Sequence, residues 1–319
     1  SQSQLRKILN HNSLSHIKIS GIIIINPYYQ GYATEIDPLV DICHQKGIPV
    51  LVDEAHGAYF LFCEDYGLPR SAVRSNADLV VQSLHKSLNG LTQTAILWFK
   101  SNLVEQKNIV KSISLLETTS PNALLLASCE ESIKDWLDKD NLNIYKELIY
   151  SARNIYNELI AKGIPLIKTQ DPLKIILNTG LFGIDGYTAD KFFYKNGLIA
   201  ELPEMNTLTF CLGFAKQDTF VNILENLWTK LIQDVKPGRR LKQYKPPFTL
   251  VQIPQVNPAH AWRAESCQLP LRKSIGKICA ELIYPYPPGI PLIIPGEKID
   301  KKRIEWIIEQ GLYYKDLVD

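Results

Sequence analysis

The apolar positions of this chain gather first into short unbroken runs. Gly21–Pro27 (GIIIINP) is a β-branched run closed by Asn-Pro, the pattern of a buried strand stopped by a turn. IPVLVDEAH, ADLVVQSLHKS (Ala77–Ser87) and TAILWFK (Thr94–Lys100) follow as three further strands. Between the first two, DPLVDICHQK reads as a helix with Asp37 as N-cap, Pro38 in its first turn and Gly47 just past its end. Non-alternating strands separated by helix-length connections predict a mostly parallel sheet covered on both faces. Residues 1–19 are polar, with a weak helical pattern through Leu5, Ile8 and Leu9.

A long helical stretch is expected from about Pro121 to Lys162, ending at Gly163. Residues 164–235 then alternate short strands (PLIKT, LKIILNT, TLTFCLG) with helices near Tyr187–Asn196 and Gln217–Val235. PGRR (Pro237–Arg240) and the proline-rich KPPF read as a linker. The last unit, 250–319, carries IGKICAELIYPYPPGIPLIIPGE and a terminal helix around Asp300–Gln310.

Composition narrows the function classes. With 319 residues, 45% hydrophobic and 21% charged, the chain can bury more than one core. Its formal net charge of +2 gives no nucleic-acid or membrane signature. The cluster Lys236, Arg239, Arg240, Lys242 and Lys245 fits a solvated linker. The 6 cysteines form no C-x-x-C pair and no zinc spacing, so we expect free thiols, no metal and a reducing, cytoplasmic setting. No apolar run reaches membrane-spanning length.

Chemistry concentrates where two of the strands end. In α/β sheets, ligands bind at the carboxyl ends of the strands. The second strand ends in Asp53-Glu54-Ala55-His56, the third in Ser83-Leu84-His85-Lys86. Each polar residue alone is ordinary solvated strand-end polarity. Together they offer a carboxylate on one strand end, and an amine with hydroxyl and imidazole donors on the next. Pyridoxal 5'-phosphate (PLP) needs such a set: a lysine to form a Schiff base, an anion at the pyridine nitrogen, and donors for the phosphate.

These residues sit in longer motifs. VDEAHGA (Val52–Ala58), ADLVVQSLHKSLNGLTQTA (Ala77–Ala95) and TTSPNALLLAS (Thr118–Ser128) resemble the ornithine/lysine/arginine decarboxylases, and AELIYPYPPGIPLIIPGE (Ala280–Glu297) is similar to that family's C-terminal domain. The resemblance implies a fold-type-I (aspartate aminotransferase-like) α/β chain in three parts. These are a partial PLP-binding large domain over 1–145, a small α/β domain over 146–236 and a C-terminal α+β domain over 237–319. It further implies Lys86 as Schiff-base lysine and Asp53 as pyridinium partner. Ser83 and His85 would bind the phosphate, Ala55 would pack against the ring, and His56 would lie beside it, or serve as a structural histidine.

Two departures qualify the expectation. Where the family reads Pro-Thr-Tyr-x-Gly, this chain has Pro27-Tyr28-Tyr29-Gln30-Gly31. The family's phosphate loop and ring-stacking histidine have no counterpart in residues 1–20. The expected activity is therefore decarboxylation of arginine, lysine or ornithine by the C-terminal portion of a split or truncated enzyme. Its partners would be a separate N-terminal half or further copies of the chain, since family sites are completed across a dimer interface. A degenerate homologue acting as an assembly module is the alternative, while the tail motif argues against an aminotransferase. Glu54, Glu201 and Glu204 are candidates for recognising a basic substrate by charge only, and Glu204, in the stretch IAELPEM, reads first as a solvated surface glutamate.

Overall fold

The computed structural model describes the chain except for residues 237, 243–246, 250, 285, 287, 288 and 312–319. Pro237 of the first linker motif, 245–246 of the second and three tail prolines thus lie outside the described residues. The chain divides into two compact units, Ser1–Asn10 with Leu14–Leu241, and His11–Ser13 with Lys242–Asp319.

The first unit opens with helix α1 (Gln2–Leu9), strand β1 (Ile22–Ile25), helix α2 (Asp37–His44) and strand β2 (Val50–Asp53). Helix α3 (Phe60–Cys63), strand β3 (Leu79–Ser83), helix α4 (Leu84–Ser87) and strand β4 (Ala95–Phe99) follow. The sheet order is β1-β2-β3-β4. β1, β2 and β3 run parallel, with Ile25 opposite Asp53 and Asp53 opposite Val81, whereas β4 returns antiparallel to β3. The mostly parallel sheet expected from the apolar runs is therefore present, and its first three strands end nearly level.

Coverage of the sheet differs from expectation. Val50, Val52 and Val80 are buried in a core with Val40 and Cys43 of α2. The opposite face is open: Ile23 and Ile25 are 72% and 50% exposed. Apolar runs in sequence thus become alternating burial in space, since successive side chains point to opposite sides of a strand. Asp53 and Ser83 take the open face, Glu54 and Gln82 the covered one.

The long helical stretch is two helices rather than one. After α5 (Gln106–Leu116) come α6 (Ala123–Leu137) and α7 (Lys139–Ala161). They break at Asp138, whose extended backbone (ψ 130°) and side chain cap α7 through the Asp140 and Asn141 amides. A second sheet holds β5 (Leu166–Ile167), β6 (Lys174–Leu177), β7 (Leu202–Pro203) and β8 (Leu208–Cys211) in the order β5-β6-β8-β7. Helices α8 (Gly186–Lys195) and α9 (Phe220–Val235) complete the lobe. The expected Asp37 cap is also shifted by one residue: Ile36 occupies the N-cap position and Asp37 begins the helix.

One core runs through both lobes of this unit. Tyr59, Phe60, Leu84 and Leu88 from the first lobe pack with Trp136, Ile175, Leu177 and Phe210. In the second unit, α10 (Pro258–Arg263), α11 (Leu271–Ser274) and α12 (Lys301–Gly311) accompany two isolated antiparallel bridges, Ile278 with Lys298 and Ile283 with Ile293. Its small core of Cys279, Leu292, Ile293, Ile299 and Ile304 is fastened by Arg303, which bonds Glu297, Asp300 and the Leu292 carbonyl.

Trp136 is fully buried, stacked on Tyr145 at 4.2 Å and edge-on to Phe214 at 4.9 Å. Truncation there leaves a cavity in the shared core. Trp136→Ala should cost about 3–5 kcal/mol, read as a lowered urea midpoint; a midpoint equal to wild type would refute that placement.

Candidate active site

The site begins with the register of β2 and β3. Because Asp53 pairs with Val81, the carboxylate at the end of β2 lies on the same face as Ser83, two residues further along β3. The turn after β2 is tied down by the Glu54 amide on the Val81 carbonyl (2.8 Å) and by the Asp53 carboxylate, whose Oδ1 accepts from the Ala55 amide (3.0 Å). Ala55 is buried and His56 half-buried.

Beneath this turn lies a carboxylate with no exposed surface. Glu54 accepts hydrogen bonds from the Ser71 hydroxyl (2.7 Å), the Ala72 amide (2.7 Å) and the Gln82 amide nitrogen (2.6 Å). Gln82 Oε1 is in turn held by the Trp98 indole N–H at 2.8 Å. Burial still outweighs these donors and raises Glu54 to about 7. Glu54 is thus engaged inside the protein, which removes it from the acidic candidates for substrate recognition.

Lys86 follows β3 on the single turn of α4 and is exposed. Its ammonium donates to His56 Nε2 at 3.4 Å. Burial first, then the charges of Lys86, Lys174 and His85, depress His56 to about 3, so the imidazole is neutral at physiological pH. His85 faces the other way: its Nδ1 donates to the Thr94 carbonyl at 2.9 Å, which leaves Nε2 as the outward nitrogen. Ser83 occupies the N-cap position of α4 without capping it. Ser87 Oγ is buried with no hydrogen-bond partner among the described residues.

The structure brings Asp53, Ala55 and His56 onto one turn, Ser83, His85 and Lys86 onto the next, and joins the two through His56 and Lys86. It also adds residues that motif reading passed over. Tyr29 stacks edge-on against His56, with centroids 4.6 Å apart, and its hydroxyl donates to Glu201. Gln30 Nε2 donates to Glu204 at 3.1 Å. Lys174, at the start of β6, donates to Cys211 Sγ at 2.9 Å and lies 5.6 Å from the Tyr29 ring centroid. The PYYQG motif was the available signal for Tyr29; nothing local singled out Lys174.

The mixed sheet of the first lobe, with the second lobe beside it, has the fold-type-I α/β architecture. Comparison agrees. A serine palmitoyltransferase variant from S. paucimobilis, solved with a bound PLP–myriocin aldimine, superposes with a TM-score of 0.54 at 15% identity over 74% of this chain and 60% of that one. The Francisella novicida lysine decarboxylase LdcF superposes at a TM-score of 0.76 and 18% identity over 99% of this chain and 56% of that chain.

Family models agree on the more specific assignment. The Orn/Lys/Arg decarboxylase major domain matches residues 1–168, and the C-terminal domain of the same family matches residues 240–309. The chain belongs to the Orn/Lys/Arg decarboxylase family. The arginine decarboxylase of Halalkalibacterium halodurans is 33% identical over 93% of this chain. This chain spans 62% of that relative's length. Among the described residues, no helix is long and apolar enough to cross a membrane.

The Glu54 carboxyl gives a pH-dependent prediction. Its folded value of about 7 lies above the ordinary 4.5, so between those limits the native state binds the proton more tightly than the unfolded one. Its contribution to stability is therefore fullest below pH 4.5 and is lost as pH rises to 7, by about 3 kcal/mol. His56 works in the opposite sense: its depressed value makes stability fall as pH drops from 6.5 towards 3. Urea unfolding of wild type and Glu54→Gln side by side isolates the first slope. The stability difference, wild type minus variant, should fall between pH 4.5 and 7; a pH-independent difference would contradict a proton on Glu54.

Proposed function

We propose that this chain is the lysine-bearing portion of a PLP-dependent decarboxylase of a basic amino acid, with the cofactor attached through Lys86. The observation that carries the reading is the pair of strand-end turns, Asp53-Glu54-Ala55-His56 and Ser83-Leu84-His85-Lys86, meeting at the His56–Lys86 contact in a chain of this family. When bound, PLP supplies an electron sink for the pair released as the carboxylate leaves the substrate α-carbon.

The residues present fit that group. Lys86 offers an exposed amine aligned by a neutral acceptor. Asp53 has its Oδ1 engaged by the Ala55 amide and would hold a proton on the pyridine nitrogen with its carboxylate. Ala55 presents a small flat surface to an aromatic ring. The Ser83 hydroxyl, uncommitted to its own helix, the His85 Nε2 and the orphaned Ser87 hydroxyl are the donors suited to a phosphate. For His85 this requires a second ring proton, because Nδ1–H is already spent on Thr94.

Glu201 and Glu204 supply the negative charge for the cationic end of a basic substrate. Arginine is the first substrate to assay, because the curated relative at 33% identity is an arginine decarboxylase. The reading includes a partner, either a separate N-terminal half or further copies of the chain. The open face of β1 with Ile23 and Ile25, and the exposed Leu115 and Leu116 of α5, support association. Free cysteines, with Cys43, Cys63 and Cys279 buried, are consistent with a cytoplasmic setting.

Incubation with PLP, borohydride reduction and peptide mapping tests the attachment: label is expected on Lys86 and absent from Lys86→Ala. A label spread over surface lysines would exclude this reading. In protein co-expressed with the complementary N-terminal part of a family member, Asp53→Asn should lower carbon dioxide release from arginine by about a hundredfold or more. Near-normal turnover would remove Asp53 from the chemistry.

A further inference from the structure

Tyr29 reaches both lobes of the first unit and has no part in the roles assigned above. Its loop leaves β1 at Asn26 and turns at Tyr28–Tyr32, where the Tyr28 amide donates to the Tyr32 carbonyl at 2.8 Å. Gly31 then passes so close to the second lobe that a Cβ there would lie 2.8 Å from both Asp171 Cβ and Lys174 Cγ. Gly31 also has φ +90°, a conformation that favours glycine, and its carbonyl accepts from the Asp171 amide at 3.1 Å. The loop is thus pinned against β6 by backbone, independently of Tyr29.

From this position the Tyr29 side chain makes three contacts of different kinds. Its hydroxyl donates to Glu201, next to β7. Its ring receives the Lys174 ammonium, 5.6 Å from the centroid. The same ring meets the His56 imidazole edge-on at 61°, and His56 Nε2 accepts from Lys86 at 3.4 Å. An exposed lysine has much rotamer freedom to lose, and His56 is its only recorded hydrogen-bond partner among the described residues.

We propose that Tyr29 is a positioning residue that couples the second lobe to Lys86: Glu201 fixes the hydroxyl, the ring fixes the His56 imidazole, and the imidazole aims the amine. The proposal rests on Lys86 being the attachment lysine and adds how that lysine is aimed. A tyrosine that merely filled space would behave alike with or without its hydroxyl. The coupling requires the hydroxyl, and it requires Glu201 as the partner. The neutral state of His56 serves it, because only an unprotonated Nε2 can accept from an ammonium.

Lys86 alignment can be read without cofactor by competitive acetylation of the full chain with acetic anhydride at one pH. Peptide mapping gives the rate at Lys86 relative to the exposed Lys46. An ammonium held by an acceptor is protected from acetylation, so Tyr29→Phe and Glu201→Ala, each of which removes one partner of the hydroxyl bond, should each raise the ratio about fivefold, the scale of one lost hydrogen bond. The double variant should raise it no further than either single change, because both break the same bond. Tyr28→Phe, next in the chain but exposed, should leave it unchanged. A wild-type ratio in either single variant, or effects that multiply in the double, would overturn the proposal. Borohydride trapping of PLP on wild type runs beside it. Failure to trap with the coupling intact removes Lys86 as the attachment site and leaves the Tyr29–His56–Lys86 coupling standing. Trapping with the coupling absent does the reverse.

Discussion

The polar ends of β2 and β3 stand where they do because a carboxylate is buried directly beneath them. Glu54 has no cation within its hydrogen-bond set, and an uncompensated charge in a protein interior is expensive. Its three donors come from Ser71, Ala72 and Gln82, so satisfying it draws the 71–72 turn and β3 onto the end of β2. Trp98 extends the chain of bonds to β4 through Gln82. A half-satisfied network of this kind is worse than an apolar core, so the arrangement tolerates little drift. That rigidity reaches the opposite face of the same strands: if Glu54 and Gln82 cannot move, neither can the backbone that presents Asp53 and Ser83.

Electrostatics on the upper side follow from the same frame. Lys86, Lys174 and His85 place positive charge, or its potential, around His56, and burial adds to their effect. The imidazole resolves this by staying neutral and accepting a hydrogen bond. Glu201 and Glu204 stand on the second lobe, the first bonded to Tyr29 and the second to Gln30 and Thr207. Cations and carboxylates thus stand close together here, Lys86 and Lys174 about His56 and Glu201 beside Tyr29. The charges of the two lobes meet around His56 and Tyr29, with Lys86 from the first and Lys174 and Glu201 from the second. The continuous core that joins them, through Tyr59, Trp136 and Phe214, is therefore part of the site's construction.

The strands of the first sheet and the family motifs are legible from local pattern because both depend on short stretches of chain. GIIIINP, IPVLVDEAH and ADLVVQSLHKS announce buried strands, and polar residues after apolar runs mark their ends. What sequence could not give was the sidedness of those strands. Four isoleucines in succession carry no alternation, so the run reads as covered on both sides, and only the packing of α2 decides which pair is sheltered. The break at Asp138 escapes sequence reading for a related reason: Ile133, Leu137, Ile144 and Leu148 keep a helical rhythm across a residue whose capping geometry interrupts the backbone. Glu201 and Tyr29 are visible as a charge and a motif, but their meeting with each other and with Lys174 is not, because Tyr29 lies more than a hundred residues from both. No window of periodicity contains them.

Sidedness has one more consequence. Ile23 and Ile25 are apolar residues in water, and covering each is worth about 1.5–3 kcal/mol, so this face favours association with another apolar surface. Alternation along the strands puts Asp53, Val81 and Ser83 on that same face, in register with β1 through the Ile25–Asp53 pair. A surface that shelters the isoleucines therefore also forms a wall beside the strand ends and lowers the dielectric around Lys86 and Asp53, strengthening each of their interactions. On the proposed reading, hydrophobic association and completion of the charged site would be a single event on this sheet, driven by the isoleucines and felt by the lysine.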